Sequence, residues 1–212
     1  MALRPRAPSS GSAKRLPADI RRQQLLDVSL RLFAAHGFEA TTMDDIAEAA
    51  GVTKPLLYQH FASKRALYVE LCDGVARSLL EAIGKAVVAA EGPRQRVEGG
   101  FAAYFQLVVS QADAFALLIG SDVPDDPELS RAVRHVEDML AEAVDVLIDA
   151  DLERDHRRLL AYAVVGMAEG ASRYFLGVGE RSGRPLEQAD ADAAARRLAE
   201  LAWAGLRSVH RD

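Results

Sequence analysis

Cysteine is almost absent from this chain of 212 residues, where Cys72 stands alone. An intrachain disulfide is therefore excluded, the fold has to rest on packing, and the simplest compartment is the reducing cytoplasm. Cys72 could in principle be a redox sensor, but a lone thiol beside Asp73 at the start of a helix fits a packed side chain better. Long apolar runs are also missing. Half the residues are hydrophobic, yet none of the runs approaches the roughly 20 needed for a membrane span, so no membrane partner is expected. Residues 1–12 lack the apolar centre of a signal peptide and read as part of a disordered basic tail, 1–16. No strand-like alternation and no internal repeat is present. The chemistry of catalysis is equally scarce, with no phosphate-cradling glycine loop and no nucleophile elbow. The histidines stand at 36, 60, 135, 156 and 210, without metal-ligand spacing to the cysteine or to one another. Glu153, Asp155 and His156 cluster in a charged interhelical turn, where solvation explains them. No enzyme, metal or cofactor is expected.

A surplus of positive charge is lacking overall, since the net charge is −5. The distribution matters more than the total. Residues 1–68 hold ten Lys or Arg against six Asp or Glu, a balance of +4 that leaves −9 for the remainder. A basic end and an acidic body suit a protein that meets phosphate at one end only.

What is present is helical periodicity throughout, and the length allows two domains, one small. Arg21 to His36 is amphipathic, with Leu25, Leu26, Ser29, Leu32 and Phe33 on one side and Gly37 as the stop. Thr42 and Asp45 have capping-box spacing at the head of a second helix carrying Met43, Ile46, Ala47 and Ala50. Gly51 can take the left-handed backbone of a tight turn. Thr53 is a candidate N-cap, and Pro55 falls in a first helical turn, where its missing N–H costs little. Leu57 and Phe61 face inward together, and Leu26 and Phe33 are expected to pack across Ile46, Leu57 and Phe61. Lys54, Leu56, Tyr58, Gln59 and His60 are left facing outward, a mixture poorly explained as an ordinary solvated face. The segment reads as a DNA-binding helix-turn-helix.

Residues 20–68 resemble the N-terminal domain of the TetR family of transcriptional regulators. The resemblance is carried by Leu25-Leu26, Leu32-Phe33, Gly37-Phe38, Thr41-Thr42, Ile46-Ala47, Ala50-Gly51-Val52-Thr53, Leu57-Tyr58, His60-Phe61, Lys64 and Leu67. It implies an all-α protein of about nine helices, with a helix-turn-helix domain over 17–66 and a larger effector-binding and dimerisation domain over 67–212. It also implies a homodimer on a palindromic double-stranded operator. Lys54, Leu56 and Gln59 are expected to read bases, with Pro55 in the same reading helix. Tyr58, His60 and Lys64 are expected on phosphates, and Thr41, Thr42 and Thr53 on the DNA backbone. Lys14, Arg15, Arg21, Arg22 and Arg65 are further candidate cations.

Beyond residue 68 the expected helices run from Lys64 towards Ala90, Arg94 to Gln111, Ala112 to Ile119, Glu128 to Ala150, Asp155 to Gly177 and Gln188 to Val209. Loops are expected at 120–127 and, rich in glycine, at 177–185. Helix 94–111 is apolar or aromatic around most of its circumference and must be surrounded. The resemblance makes its surroundings an effector cavity. Phe101, Tyr104, Phe105, Val108, Phe115, Leu118, Met139 and Ala143 are the expected wall, and a small apolar effector the expected ligand. A weaker resemblance to the family's regulators of fatty-acid metabolism lies in Phe105 through Phe115, Pro127-Glu128, Val165-Gly166-Met167 and Arg173-Tyr174. It suggests an acyl chain or acyl-thioester, with Arg173 facing an anionic head. By the same resemblance the last two helices form the dimer surface, through Tyr162, Gly166, Gly170, Leu198, Leu201, Ala202, Trp203, Gly205 and Leu206. Repression is the expected activity. The rival reading is a helical carrier that sequesters hydrophobic molecules and has no specific DNA target.

Overall fold

A computed structural model describes residues 17–119, 126–148 and 152–209. Among these every regular element is an α-helix: α1 Ala18–Ala40, α2 Met43–Ala49, α3 Lys54–His60, α4 Lys64–Ala89, α5 Pro93–Ser110, α6 Ala112–Ile119, α7 Pro127–Asp145, α8 Arg154–Ser182 and α9 Gln188–Leu206. The expected tail 1–16 and most of the loop 120–127 lie outside the described residues.

α1 to α3 close around Leu25, Phe33, Ile46, Leu57 and Phe61, all buried. Leu25 takes the innermost place expected of Leu26, because Leu25, Val28, Ser29 and Phe33 share one helical face and Leu26 sits at its edge, half-buried. Gly37 breaks α1 with φ 78° and ψ 162°, and one more turn follows it. That turn carries Phe38 back onto Phe33 and Tyr68, with ring centroids 5.5 and 5.3 Å apart. Tyr68, on α4, donates its hydroxyl to Leu117 O of α6 at 2.8 Å. Burial holds that phenol protonated, its pKa well above the usual tyrosine value. α6 lies against α1 and α4, so the small domain is seated on α4 and α6 together.

In the larger part, α5 packs against α4 and α9, and α7 against α8 and α4. α5 and α6 meet at 101°. No single helix among the described residues is long and apolar enough to cross a membrane. α7 stops at Asp145, short of Ala150, and the chain turns so that Leu147 and Ile148 face a cavity. α8 runs five residues past Gly177, through a stretch expected as loop. The glycines there serve close packing: a Cβ on Gly179 would lie 3.1 Å from Leu186 Cγ. Gly183, with φ 62°, marks the turn after α8. Cys72 is fully buried, and burial, reinforced by the Asp73 charge, pushes its thiol up to about 12. It is a packed thiol rather than a redox sensor.

Candidate functional site

The turn between α2 and α3 is built by local chemistry. Thr42 and Asp45 form the full capping box at the start of α2. The helix ends in a reciprocal pair of backbone bonds, Gly51 N to Glu48 O at 3.0 Å and Val52 N to Ala47 O at 2.9 Å. Gly51 makes this possible with φ 63°; nothing lies within 4 Å of a Cβ placed there, so the requirement is conformational rather than steric. Thr53 is the N-cap residue of α3, but its hydroxyl makes no capping bond. α3 buries Leu57 and exposes Lys54, Pro55, Tyr58 and Gln59, while Leu56 and His60 are half-buried. Lys54 Nζ lies 2.7 Å from Asp44 Oδ1 of α2. Both groups are exposed, and such a pair is weak enough for a phosphate or a base edge to displace.

Several cations expected on DNA have partners within the chain. Lys64 Nζ donates to Phe38 O at 2.6 Å, Thr41 O at 2.8 Å and Glu39 O at 3.3 Å, and stands 4.2 Å from the Phe38 ring centroid. Its three N–H bonds are all directed at the end of α1. Arg22 stacks on Phe61, donates to His60 O at 2.6 Å and pairs with Glu70. Arg65 pairs with Asp126, whose other oxygen caps α7. Thr41 is 2% exposed, and its hydroxyl donates to Gly37 O, which turns that side chain into the fold. Thr42 remains exposed at the head of α2.

A cavity of about 530 Å³ opens at the far end of the helical bundle from α3. The C-terminal half of α4 supplies Ile83 and Val87, and the N-terminal half of α5 supplies Pro93, Arg96, Val97, Phe101 and Tyr104. α7 and its exit give Leu140, Val144, Leu147 and Ile148. α8 contributes Val164, Val165 and Ala168, and α9 and its end contribute Ala202, Trp203, Leu206 and Arg207. The lining is apolar apart from two arginines and the Tyr104 and Trp203 polar tips. This size is ordinary for a small-molecule pocket.

Of the expected wall only Phe101 and Tyr104 line that cavity. Phe105 and Val108 are fully buried in solid core, Phe105 packed edge-on against Tyr104 and Phe175 at 5.3 and 5.9 Å. Phe115 and Leu118 border a pocket of only about 20 Å³, shared with Tyr104, Leu140, Glu137 and Glu169. Met139 packs at the edge of the core, and Ala143 is half-buried outside the lining. Arg173 donates to Ile119 O at 3.1 Å, which ties α8 to α6 and keeps it out of the cavity. Tyr104 Oη lies 3.3 Å from Ser172 Oγ, and burial pushes the phenol up to about 12. Burial and the facing Glu137 carboxylate raise Glu169 to about 7, against the pull of Arg173.

The expected dimer residues divide. Gly166 and Gly170 lie on an exposed stripe along α8, together with Leu159, Ala163 and Tyr174, which were not expected there; Leu159 and Tyr174 are 67% and 71% exposed. Leu201, 62% exposed, and Gly205 are exposed on α9, while Leu198 is half-buried against the core. Ala202, Trp203 and Leu206 point instead into the cavity. Tyr162 is turned towards α7, with its hydroxyl 2.5 Å from Asp138 Oδ1.

Residues 25–71 match the model of the bacterial regulatory proteins of the tetR family. Over 206 residues the chain is 32% identical to the HTH-type transcriptional activator FasR of Mycolicibacterium smegmatis, spanning 95% of this chain and 91% of that protein. The chain belongs to the TetR family of transcriptional regulators. It is a DNA-binding regulator and not an enzyme, as its relatives are. The HTH-type transcriptional repressor KstR2 of Mycobacterium tuberculosis is 38% identical over 88 residues, 42% of this chain and 44% of that one. In fold the chain resembles the regulator FadR from Bacillus subtilis, solved in complex with stearoyl-CoA. There the TM-score is 0.69 at 14% identity, covering 89% of this chain and 99% of that chain.

Within this family member, sequence reasoning missed Arg96, Arg207, Leu152 and the α4 and α8 cavity residues. Ile83, Val87, Val164 and Val165 carry the same periodicity as core positions, so periodicity gave no signal. Arg96 had one: it is the cation nearest the aromatic run on a helix that must be surrounded.

Proposed function

We propose that the chain works as a homodimer that sets the α3 helices of two subunits into a palindromic operator, with an apolar effector, an acyl chain or acyl-thioester, altering its hold on DNA. The observation that carries the effector reading is the 530 Å³ cavity, built from five helices and lined almost wholly by apolar side chains. The likeness in fold to a regulator solved with stearoyl-CoA supports the acyl class. The exposed stripe on α8 and the exposed Leu201 on α9 support the dimer, and two reading helices see twice the base pairs that one can.

The route from cavity to DNA runs through α4 and α6. Ile83 and Val87 on the cavity wall belong to the same helix as Tyr68, which is bonded to α6 and packed on the end of α1. The Arg65–Asp126 pair joins the start of α4 to the start of α7. An effector that spreads the far ends of α4 and α7 acts on helices that hold the reading head at their near ends. It shifts the equilibrium only if it prefers one arrangement. Repression follows if the bound dimer blocks the promoter. Activation is the second reading, favoured by the name of the relative FasR. The dimer acts in the cytoplasm, where its operator is.

Acyl-thioesters of rising length, titrated into the fluorescent protein–operator complex, test the proposal. Each methylene entering the cavity contributes about 0.8 kcal/mol, roughly fourfold in affinity. The midpoint should fall steeply with length and level off once the cavity is full. Ala168→Trp, which fills the cavity, should keep operator affinity and lose the response. A DNA affinity indifferent to every chain length contradicts the acyl effector.

A further inference from the structure

Among the described residues, the charged side chains that line the large cavity are Arg96 and Arg207, both positive. Arg96 is half-buried and Arg207 exposed, so both guanidinium groups are free to meet a ligand that enters from solvent. Arg96 lies in the first turn of α5 and Arg207 is the C-cap residue of α9. At the inner end the wall is Phe101, Tyr104, Leu140 and Ala168, with no charge. The cavity is polarised, cationic at one end and apolar at the other.

We infer that this cavity takes an anionic amphiphile, its carboxylate or phosphate held between Arg96 and Arg207 and its apolar chain directed inward to Tyr104 and Leu140. The inference rests on the acyl reading above and adds the charge and the orientation of the ligand. The arginine expected from the sequence to meet the head, Arg173, is engaged with Ile119 O and is replaced in that role. The orientation has a consequence. Tyr104 and Leu140 also border the small inner pocket with Phe115 and Leu118 of α6. A ligand anchored at the arginines thus presses its chain end on the two residues that separate it from α6, the helix on which the reading head is seated.

Calorimetry on the full-length protein with three probes tests this: myristate, myristoyl-CoA and the neutral methyl myristate. Wild type should bind at least one anion on the order of tenfold tighter than the ester, since hydrogen bonds to charged groups are worth that much or more. Myristate leading identifies a carboxylate as the recognised group, and myristoyl-CoA leading identifies the phosphates of a thioester. Arg96→Gln with Arg207→Gln should abolish the preference and leave ester affinity unchanged, which also shows that the variant is folded. Arg207→Gln alone, at an exposed helix end, should reduce the preference in part. Equal binding of ester and anions to wild type, or a preference that survives in the double variant, overturns the head-group inference while the acyl reading stands. If none of the three binds, the acyl reading itself falls and takes this inference with it.

Discussion

Replacing Lys64 with alanine should destabilise the protein as a whole, where a simple phosphate contact would weaken only its grip on DNA. The ammonium has three N–H groups, and three carbonyls receive them, Phe38 O at 2.6 Å, Thr41 O at 2.8 Å and Glu39 O at 3.3 Å. The ring of Phe38 lies beneath it at 4.2 Å. Hydrogen bonds to a charged group contribute about 1.5–3 kcal/mol net, and a partly exposed cation over an aromatic ring about 0.5–1 kcal/mol. Water can replace the longest of the three bonds, so the loss should be about 2–3 kcal/mol. For a chain of this length that lowers Tm by roughly 4–12 °C. Lys64→Arg should fall between, because a planar fork cannot aim at three carbonyls as a rotating ammonium does. Thermal unfolding followed by circular dichroism, beside operator binding at several salt concentrations, gives both readouts. A phosphate contact would leave Tm within about 1 °C and flatten the salt slope by about 0.9. That outcome would refute the assignment of Lys64 to the end of α1.

Core and cavity should respond differently to truncation. Phe105→Ala should cost about 3–5 kcal/mol in urea unfolding, because Phe105 is fully enclosed, whereas Leu206→Ala on the cavity wall should cost about 2 kcal/mol or less. Glu169 should make stability depend on pH. With its carboxyl raised to about 7 from 4.5, the folded protein keeps a proton that the unfolded chain releases. Its contribution is fully present below about pH 4.5 and is lost as pH rises through 7. Glu169→Gln should therefore stabilise by about 2 kcal/mol at pH 8 and change little at pH 4.5, and equal effects at both would disprove the burial of that carboxyl. Gly166→Leu with Gly170→Leu should give a monomer in sedimentation with unaltered helix content, since no atom lies within 4 Å of a Cβ built at either position. A dimer that persists moves the interface elsewhere.

The helix-turn-helix was legible because its determinants are local. Thr42 and Asp45, Gly51 and Pro55 announce a cap, a left-handed turn and a helix start within fifteen residues. The helices of the described residues followed from periodicity, and the end of α8 shifted where glycines served packing, as at Gly177 and Gly179. The cavity was not legible, because a wall residue and a core residue carry the same apolar pattern. Whether Trp203 covers a partner or lines a hole depends on five helices that meet only in three dimensions. The partners that Lys64 and Arg22 have within the chain were not legible for a related reason. A cation in a basic segment reads as a phosphate contact, and the groups they meet here, the carbonyls at the end of α1 and Glu70, are 23 to 48 residues away.

Selection of bound sequences from random duplex DNA by the full-length protein tests the central claim most directly. A dimeric regulator with α3 as its reading helix should enrich a two-fold-symmetric sequence, with half-site centres about one helical turn, or a multiple of it, apart. Enrichment should be strong at low salt and keep the same sequence as salt weakens binding. A pool that stays random after repeated rounds would contradict the account and leave a helical protein that sequesters apolar molecules without addressing DNA.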